Sequence, residues 1–329
     1  MKKMLLLTIS LFASLLFADE FVETSTTIGG YGELHYDIEA NDGDGKLDFH
    51  RFILFFKHAF NEQWSMMSEI EIEHNMVYSE GDGGYLAMEQ AYLNYWNGKW
   101  GFKGGVVLVP AGITNEYHEP PTFMSVERPE YNKYVIPTTW FENGFSFYGG
   151  MNGINWNFTM TGDLDGDLIG DGIRDARMKG VSSTTADWTK TLQLSWAGMD
   201  GLKVGGSMTT NDAPTDAVKA SSSTSTEWSY CTDDLSGTSN DGCIDANSGN
   251  NAATDDYYTA TVTTDVEAKA AGSVGVKLTE VNATWTKNNL YARVESGKID
   301  YTDNTSAKST SGHYIDLGYN IAGLVGCED

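Results

Sequence analysis

The sequence predicts an all-β, antiparallel transmembrane barrel, and three observations lead there. Strand-like segments alternate apolar and polar residues with a period of two. The connections between them alternate long and short. Trp or another bulky apolar residue flanks nearly every short connection.

The first segment, 27–38, puts Ile28, Leu34, Tyr36 and Ile38 on one face and Glu33, His35 and Asp37 on the other. Residues 47–59 follow an Asn/Asp/Gly loop and lead through FNEQW at 60–64 into 64–74. There Ile70 and Ile72 face one way while Glu69, Glu71 and Glu73 face the other, which suits a strand with lipid on one side and water on the other. Four more hairpins are expected: 85–96 with 100–109, 145–151 with 154–162, 188–197 with 202–210, and 276–286 with 290–300. Their turns carry Asn-Gly, Asp-Gly or Asn-Asn, residues that tolerate positive φ. Segment 312–321 is the last candidate strand, giving about 12 in this chain.

Trp64, Trp96, Trp100, Trp156, Trp196 and Trp285 cluster at the short turns, as an interfacial belt requires. The long polar connections, 111–144, 163–187 and 211–275 foremost, are expected outside the membrane. A short hairpin around 257–268 is expected within the last of these. A soluble β-sandwich has no reason to gather its short turns and aromatics at one end.

Composition narrows the function classes. Hydrophobic content is 40% and mean hydropathy is −0.34, and beyond the N-terminal segment no apolar run reaches the ~20 residues of a membrane helix. Residues 1–18 read as a signal peptide: Lys2 and Lys3, an apolar Met4–Phe17, and Ala18 before the cut. The expected mature chain is then 19–329, one barrel. A net charge of −25 excludes nucleic-acid binding. Cys231 and Cys243 share a polar loop and are a candidate disulfide in an exported chain; Cys327 is left over. The six histidines lie scattered, and no nucleophile elbow, phosphate loop or metal-spaced His pair points to an enzyme.

Glu33, Arg51, Glu69, Glu71 and Glu73 are the candidate pore-lining residues, Arg51 pairing with Glu69 or Glu71. The loop after strand 100–109 holds Glu116, His118, Glu119, Pro120, Pro121, Glu127 and Arg128. Proline stiffens it, and a stiff charged loop folded inward would constrict a channel. Asp163, Asp165, Asp167 and Asp171 alternate with glycine in a manner suited to calcium, although the EF-hand pattern fails at Leu168; no other cofactor is expected.

Several segments resemble the phosphate-selective porin O and P family: GYGELHYD at 30–37, EQAYLNYW at 89–96, VLVPAGITNEYHEPPTFMSVERP at 107–129, GIRDARMKG at 172–180, ATWTKNNLYARVES at 283–296 and HYIDLGYNIAGL at 313–324. The resemblance implies a homotrimer of barrels in the bacterial outer membrane, with about 16 strands in the complete protein. The ending GYNIAGLVGCED, a strand followed by the start of a connection, leads us to expect closing strands beyond it. One departure matters. Phosphate-specific members line the pore with arginines and lysines, whereas this chain has five Arg (Arg51, Arg128, Arg174, Arg177 and Arg293) and strand faces that look acidic. The expected function is therefore passive diffusion of small hydrophilic solutes or ions across the lipid of the outer membrane, with a general or mildly cation-preferring pore. The alternative is an exported soluble or surface β-protein that binds calcium or glycans.

Overall fold

The computed structural model describes residues 24–38, 45–74, 86–122, 124–125, 128–230 and 257–322. The expected signal segment at 1–18, Glu127, and Cys231, Cys243 and Cys327 lie outside the described residues.

One antiparallel sheet runs through β1 (Ser25–Ile38), β2 (Gly45–Ala59), β3 (Trp64–Glu73), β4 (Leu86–Trp96), β5 (Trp100–Leu108), β6 (Phe141–Met151), β7 (Ile154–Thr161), β8 (Thr189–Met199) and β9 (Leu202–Thr215). A separate hairpin, β10 (Ser221–Tyr230) with β11 (Tyr257–Val266), interrupts the order. The sheet resumes with β12 (Gly272–Lys287), which pairs with β9, then β13 (Leu290–Thr302) and β14 (Ser309–Tyr319). All twelve expected strands are present in the expected order. Three boundaries differ. β6 begins at Phe141, so the preceding connection ends at Trp140. β9 and β12 extend each other's ladder well into the supposed 211–275 loop. The hairpin expected at 257–268 instead pairs its one strand with 221–230.

Turn chemistry follows the sequence. The Asn61 side chain accepts hydrogen bonds from the Gln63 and Trp64 amides at 2.9 and 2.8 Å, and Asn97 accepts from Lys99 and Trp100 at 3.0 Å each. Asn152 with Gly153, and Asn288 with Asn289, hold the paired positive φ values of a two-residue hairpin. Trp64, Tyr95 and Trp100 make a run of tilted rings across β3–β5 at this end, with centroids 4.9 and 5.5 Å apart.

The two faces of the sheet differ in kind. Ile28, Leu34, Met88, Phe147, Leu194, Val281, Ile315 and Leu317 point outward, Leu317 being 77% exposed. Glu89, Ser146 and Glu280, next in sequence to Met88, Phe147 and Val281, are buried, and so are Glu69 and Glu295, both at 0%. An apolar exterior over a polar interior reverses the soluble arrangement and belongs to a barrel that meets lipid.

The inner face is packed on one side. Val274, Val276, Leu278 and Ile299 of β12 and β13 hold Trp140, Ile136, Leu164, Ile169 and Ile173 from two connections in an apolar cluster. Connection 163–187, expected outside as a solvated acidic loop, therefore folds onto the inner face. The reason is its own apolar side chains: Leu164, Ile173 and Ala176 are all but inaccessible.

Candidate functional site

The first wall of the interior comes from β1–β4. A period of two brings Glu69 and Glu71 inward, and the ladder sets Glu71 near Arg51 of β2. Arg51 forms ion pairs, through Nε with Glu33 at 2.8 Å and through Nη1 with Glu71 at 3.1 Å. Sequence reasoning expected Glu69 or Glu71 as its partner. Glu69 instead accepts from Gln90 at 2.5 Å, one ladder step further from Arg51.

A register shift between Glu33 and His35 changes which β2 residues face inward. His50 and Arg51, neighbours in sequence, thus line the same cavity.

The connection between β5 and β6 crosses the inner face. Its helical turn α1 (Ile113–Glu116) follows Gly112 at φ +89. The Thr114 amide donates to Glu295 of β13 at 3.1 Å. Asn115 fastens the ends of the loop: its Nδ2 donates to the carbonyls of Val109 and Trp140, and its Oδ1 accepts from the Trp140 amide. His118 Nδ1 meets the Asn115 carbonyl at 2.9 Å, which aims Nε2 between Glu89 of β4 at 3.4 Å and Glu119 at 3.3 Å. Tyr31 of β1 donates to Glu119. Beyond the 3-10 turn at Pro120–Thr122, a second helical turn, α2 (Tyr131–Tyr134), stacks Tyr131 on Tyr314 of β14. The loop is thus tied to β1 and β4 at one side and to β13 and β14 at the other.

Burial alone would lower the pKa of His118, but the close carboxylates of Glu119 and Glu89 outweigh that and raise it to about 10. Burial would raise that of Glu119; hydrogen bonds from His118 and Glu69 hold it well below the usual carboxylate range. The loop is therefore clamped by a buried imidazolium between carboxylates.

The opposite wall is basic and comes from loops. Arg174 and Arg177 donate to the Thr138 carbonyl at 2.7 and 2.9 Å, and Arg177 also reaches the Thr139 carbonyl at 2.8 Å. Arg128 donates to Thr138 Oγ1 at 3.1 Å. Glu142 of β6 accepts from the amides of Lys179 and Gly180 at 2.7 and 2.8 Å, which fixes the second loop. Burial and then the neighbouring Arg51 and Arg174 depress the pKa of Arg128, as expected where like charges converge.

Between the walls lies a cavity of about 310 Å³. Glu33, Glu71 and Glu73 line it with Arg51, Arg128, Arg174, Lys133 and Lys179. The lumen is therefore not simply acidic. Strand alternation revealed its carboxylates; loops supply most of its cations, and no periodicity locates loop residues.

Among the expected site residues, Glu33, Arg51, Glu71, Glu73, Pro120 and Arg128 line this cavity. His118 and Glu119 of the crossing loop lie together with Glu69 of β3, with Pro121 exposed and Glu116 half-buried. The four aspartates diverge. Asp163 is buried and accepts from Thr184, Ala186, Asp187 and Asn211. Asp165 accepts from the Asp167 amide; the Asp167 side chain accepts from the Asp216 amide; the Asp171 carbonyl accepts from Thr310. Among the described residues two groups converge closely enough to share a small cation, Glu69–His118–Glu119 and Asp48–His50–His74, and neither includes these aspartates. The first lies where the His118 ring meets the carboxylates of β3 and the loop. The second was invisible as a motif, because its histidines lie far apart in sequence and only strand register joins them.

No family model matches the chain. An uncharacterized protein of Aquifex aeolicus (strain VF5) is 47% identical over 137 residues, 41% of this chain and 31% of the relative, so this chain spans under a third of that relative's length. Among solved structures, Salmonella typhi OmpF in complex with daunomycin has TM-score 0.51 at 11% identity, covering 90% of this chain and 74% of that one. A loop-deletion mutant of Vibrio cholerae OmpT, an outer membrane protein, gives TM-score 0.48 at 12% identity, covering 90% and 78%. The OmpF likeness is one of fold: this chain has the architecture of an outer-membrane β-barrel.

Proposed function

We propose that the chain is an outer-membrane porin through which small polar solutes and ions diffuse passively, constricted by the 109–140 loop. One observation carries this reading: the loop crosses the inner face from Glu89 and Tyr31 to Glu295 and Tyr314, leaving a charged cavity within an apolar exterior. Facing carboxylates and guanidiniums set up a field across the passage that orients dipolar solutes. The resemblance to the phosphate-selective family supports the porin reading and a trimeric assembly. Phosphate preference is not part of the proposal, because the cations here sit mostly on two loops and among carboxylates, not in a ladder along the strands. An exported precursor with a cleaved 1–18 segment completes the reading.

The test is reconstitution of detergent-purified protein in planar bilayers. Stepwise conductance with weak ion selectivity supports a general pore. A silent bilayer, with protein that fractionates as freely soluble, removes it.

A further inference from the structure

The long-connection ends of β1–β3 bring together four residues that sequence leaves far apart. His35 of β1 faces Asp48 of β2 in the ladder. Two residues along β2 is His50, whose carbonyl accepts from the His74 amide at 3.2 Å, placing His74 across from it just past the end of β3. The side chains converge. Nδ1 of His74 lies 2.9 Å from Asp48 Oδ1, and Nδ1 of His50 lies 3.3 Å from Asp48 Oδ2. The three ligand atoms lie within 4.8 Å of one another. A second layer supports them: the His35 ring stacks on His50 at 4.4 Å and 5°, and its Nε2 meets Glu33 at 2.6 Å.

We propose that Asp48, His50 and His74 form a binding site for a divalent transition-metal ion of the zinc type. Three arguments carry it. The spacing suits the ion: ligand atoms held at ~2.1 Å around a tetrahedral zinc stand about 3.4 Å from one another, close to the observed nitrogen–oxygen separations. The donor set suits it too. Two imidazoles and one carboxylate favour zinc, copper or nickel over calcium or magnesium, which take oxygen ligands. One ligand ring is also held in place, since the His35 ring stacks on His50. In the bound site each imidazole ligates through Nδ1 and carries its proton on Nε2, Asp48 ligates as a carboxylate, and the fourth position is left for water. The site is partly open, its side chains being 14–35% exposed. The acidic calcium candidate at 163–171 has no such convergence.

The experiment is calorimetric titration of the full chain in detergent with zinc chloride, in excess calcium so that acidic surface groups are masked. The expected result is one ion per chain. Affinity should fall about tenfold or more in His50→Ala, in His74→Ala and in Asp48→Asn. It should stay unchanged in His58→Ala, whose ring meets Thr26 at the other end of β2. Copper(II) bound to the unsubstituted protein gives a second reading that needs no variant. Its paramagnetic resonance should show hyperfine coupling to two imidazole nitrogens. Zinc binding that survives in the His50/His74 double variant, coupling to fewer than two nitrogens, or no stoichiometric zinc at all would each overturn the site.

Discussion

His118 Nε2 lies 3.4 Å from the Glu89 carboxylate with both side chains 3% exposed, so a loop and a strand are joined by a buried ion pair. A pair of this kind is costly to break from one side, because the remaining charge stays buried. His118→Gln should therefore destabilise the loop by about 3–5 kcal/mol. The check is limited proteolysis of folded protein: trypsin should cut at the exposed Lys133 faster in the variant.

The same clamp sets a pH range. The pKa of His118 in the folded chain, raised to about 10, exceeds its unfolded value near 6.5. Its contribution is then fully present below about pH 6.5 and is lost as pH rises through about 10. Glu119 works in the other sense, since its folded pKa is depressed: its contribution fades only in strong acid. Protease resistance of the loop should decline progressively as pH rises from about 6.5 to about 10 and level off above that, and His118→Gln should abolish this decline.

Charge selectivity should follow the cavity and not the strand pattern. Glu71 and Glu73 line it, whereas Glu69 lies under the loop. Reversal potentials under a salt gradient should shift toward anions in Glu71→Gln/Glu73→Gln and toward cations in Arg174→Gln. A shift in Glu69→Gln as large as that of the pair would contradict this placement.

Gly112 holds φ +89, and a β-carbon there would collide with the Glu295 carboxylate. Gly112→Ala should cost about 1–3 kcal/mol and free the β13 side of the loop. The urea midpoint of refolded protein measures it.

The outer face offers an independent check. Leu194 of β8 is outward and half-exposed, among Leu192 and Trp156. Arginine there should cost up to ~2–4 kcal/mol of stability in bilayers, depending on depth. In a soluble protein a surface arginine would cost little. Unfolding from lipid vesicles decides between these.

Much of the wall was legible because strand periodicity and turn chemistry are local. Ile70 and Ile72 against Glu69 and Glu71 gave the two faces of β3, and Asn97-Gly98 and Asn152-Gly153 gave the turns. The interior was less legible. His118 was singled out as part of a stiff loop, but its partner Glu89 lies on a strand whose contacts only the register specifies. Leu164, Ile169 and Ile173 were a usable signal, being apolar side chains in an otherwise Asp/Gly-rich segment, and they pull that connection inward. The cluster of His35, Asp48, His50 and His74 depends on a register shift between Glu33 and His35, which no short motif records.

The central claim is that the 109–140 loop narrows a water-filled passage. Single-channel conductance in planar bilayers tests it most directly, comparing the unsubstituted protein with the His118→Gln/Gly112→Ala variant whose loop is released on both sides. The account predicts stepwise openings that become clearly larger when the loop is released. Openings of unchanged size in a variant shown by proteolysis to have a detached loop would contradict it.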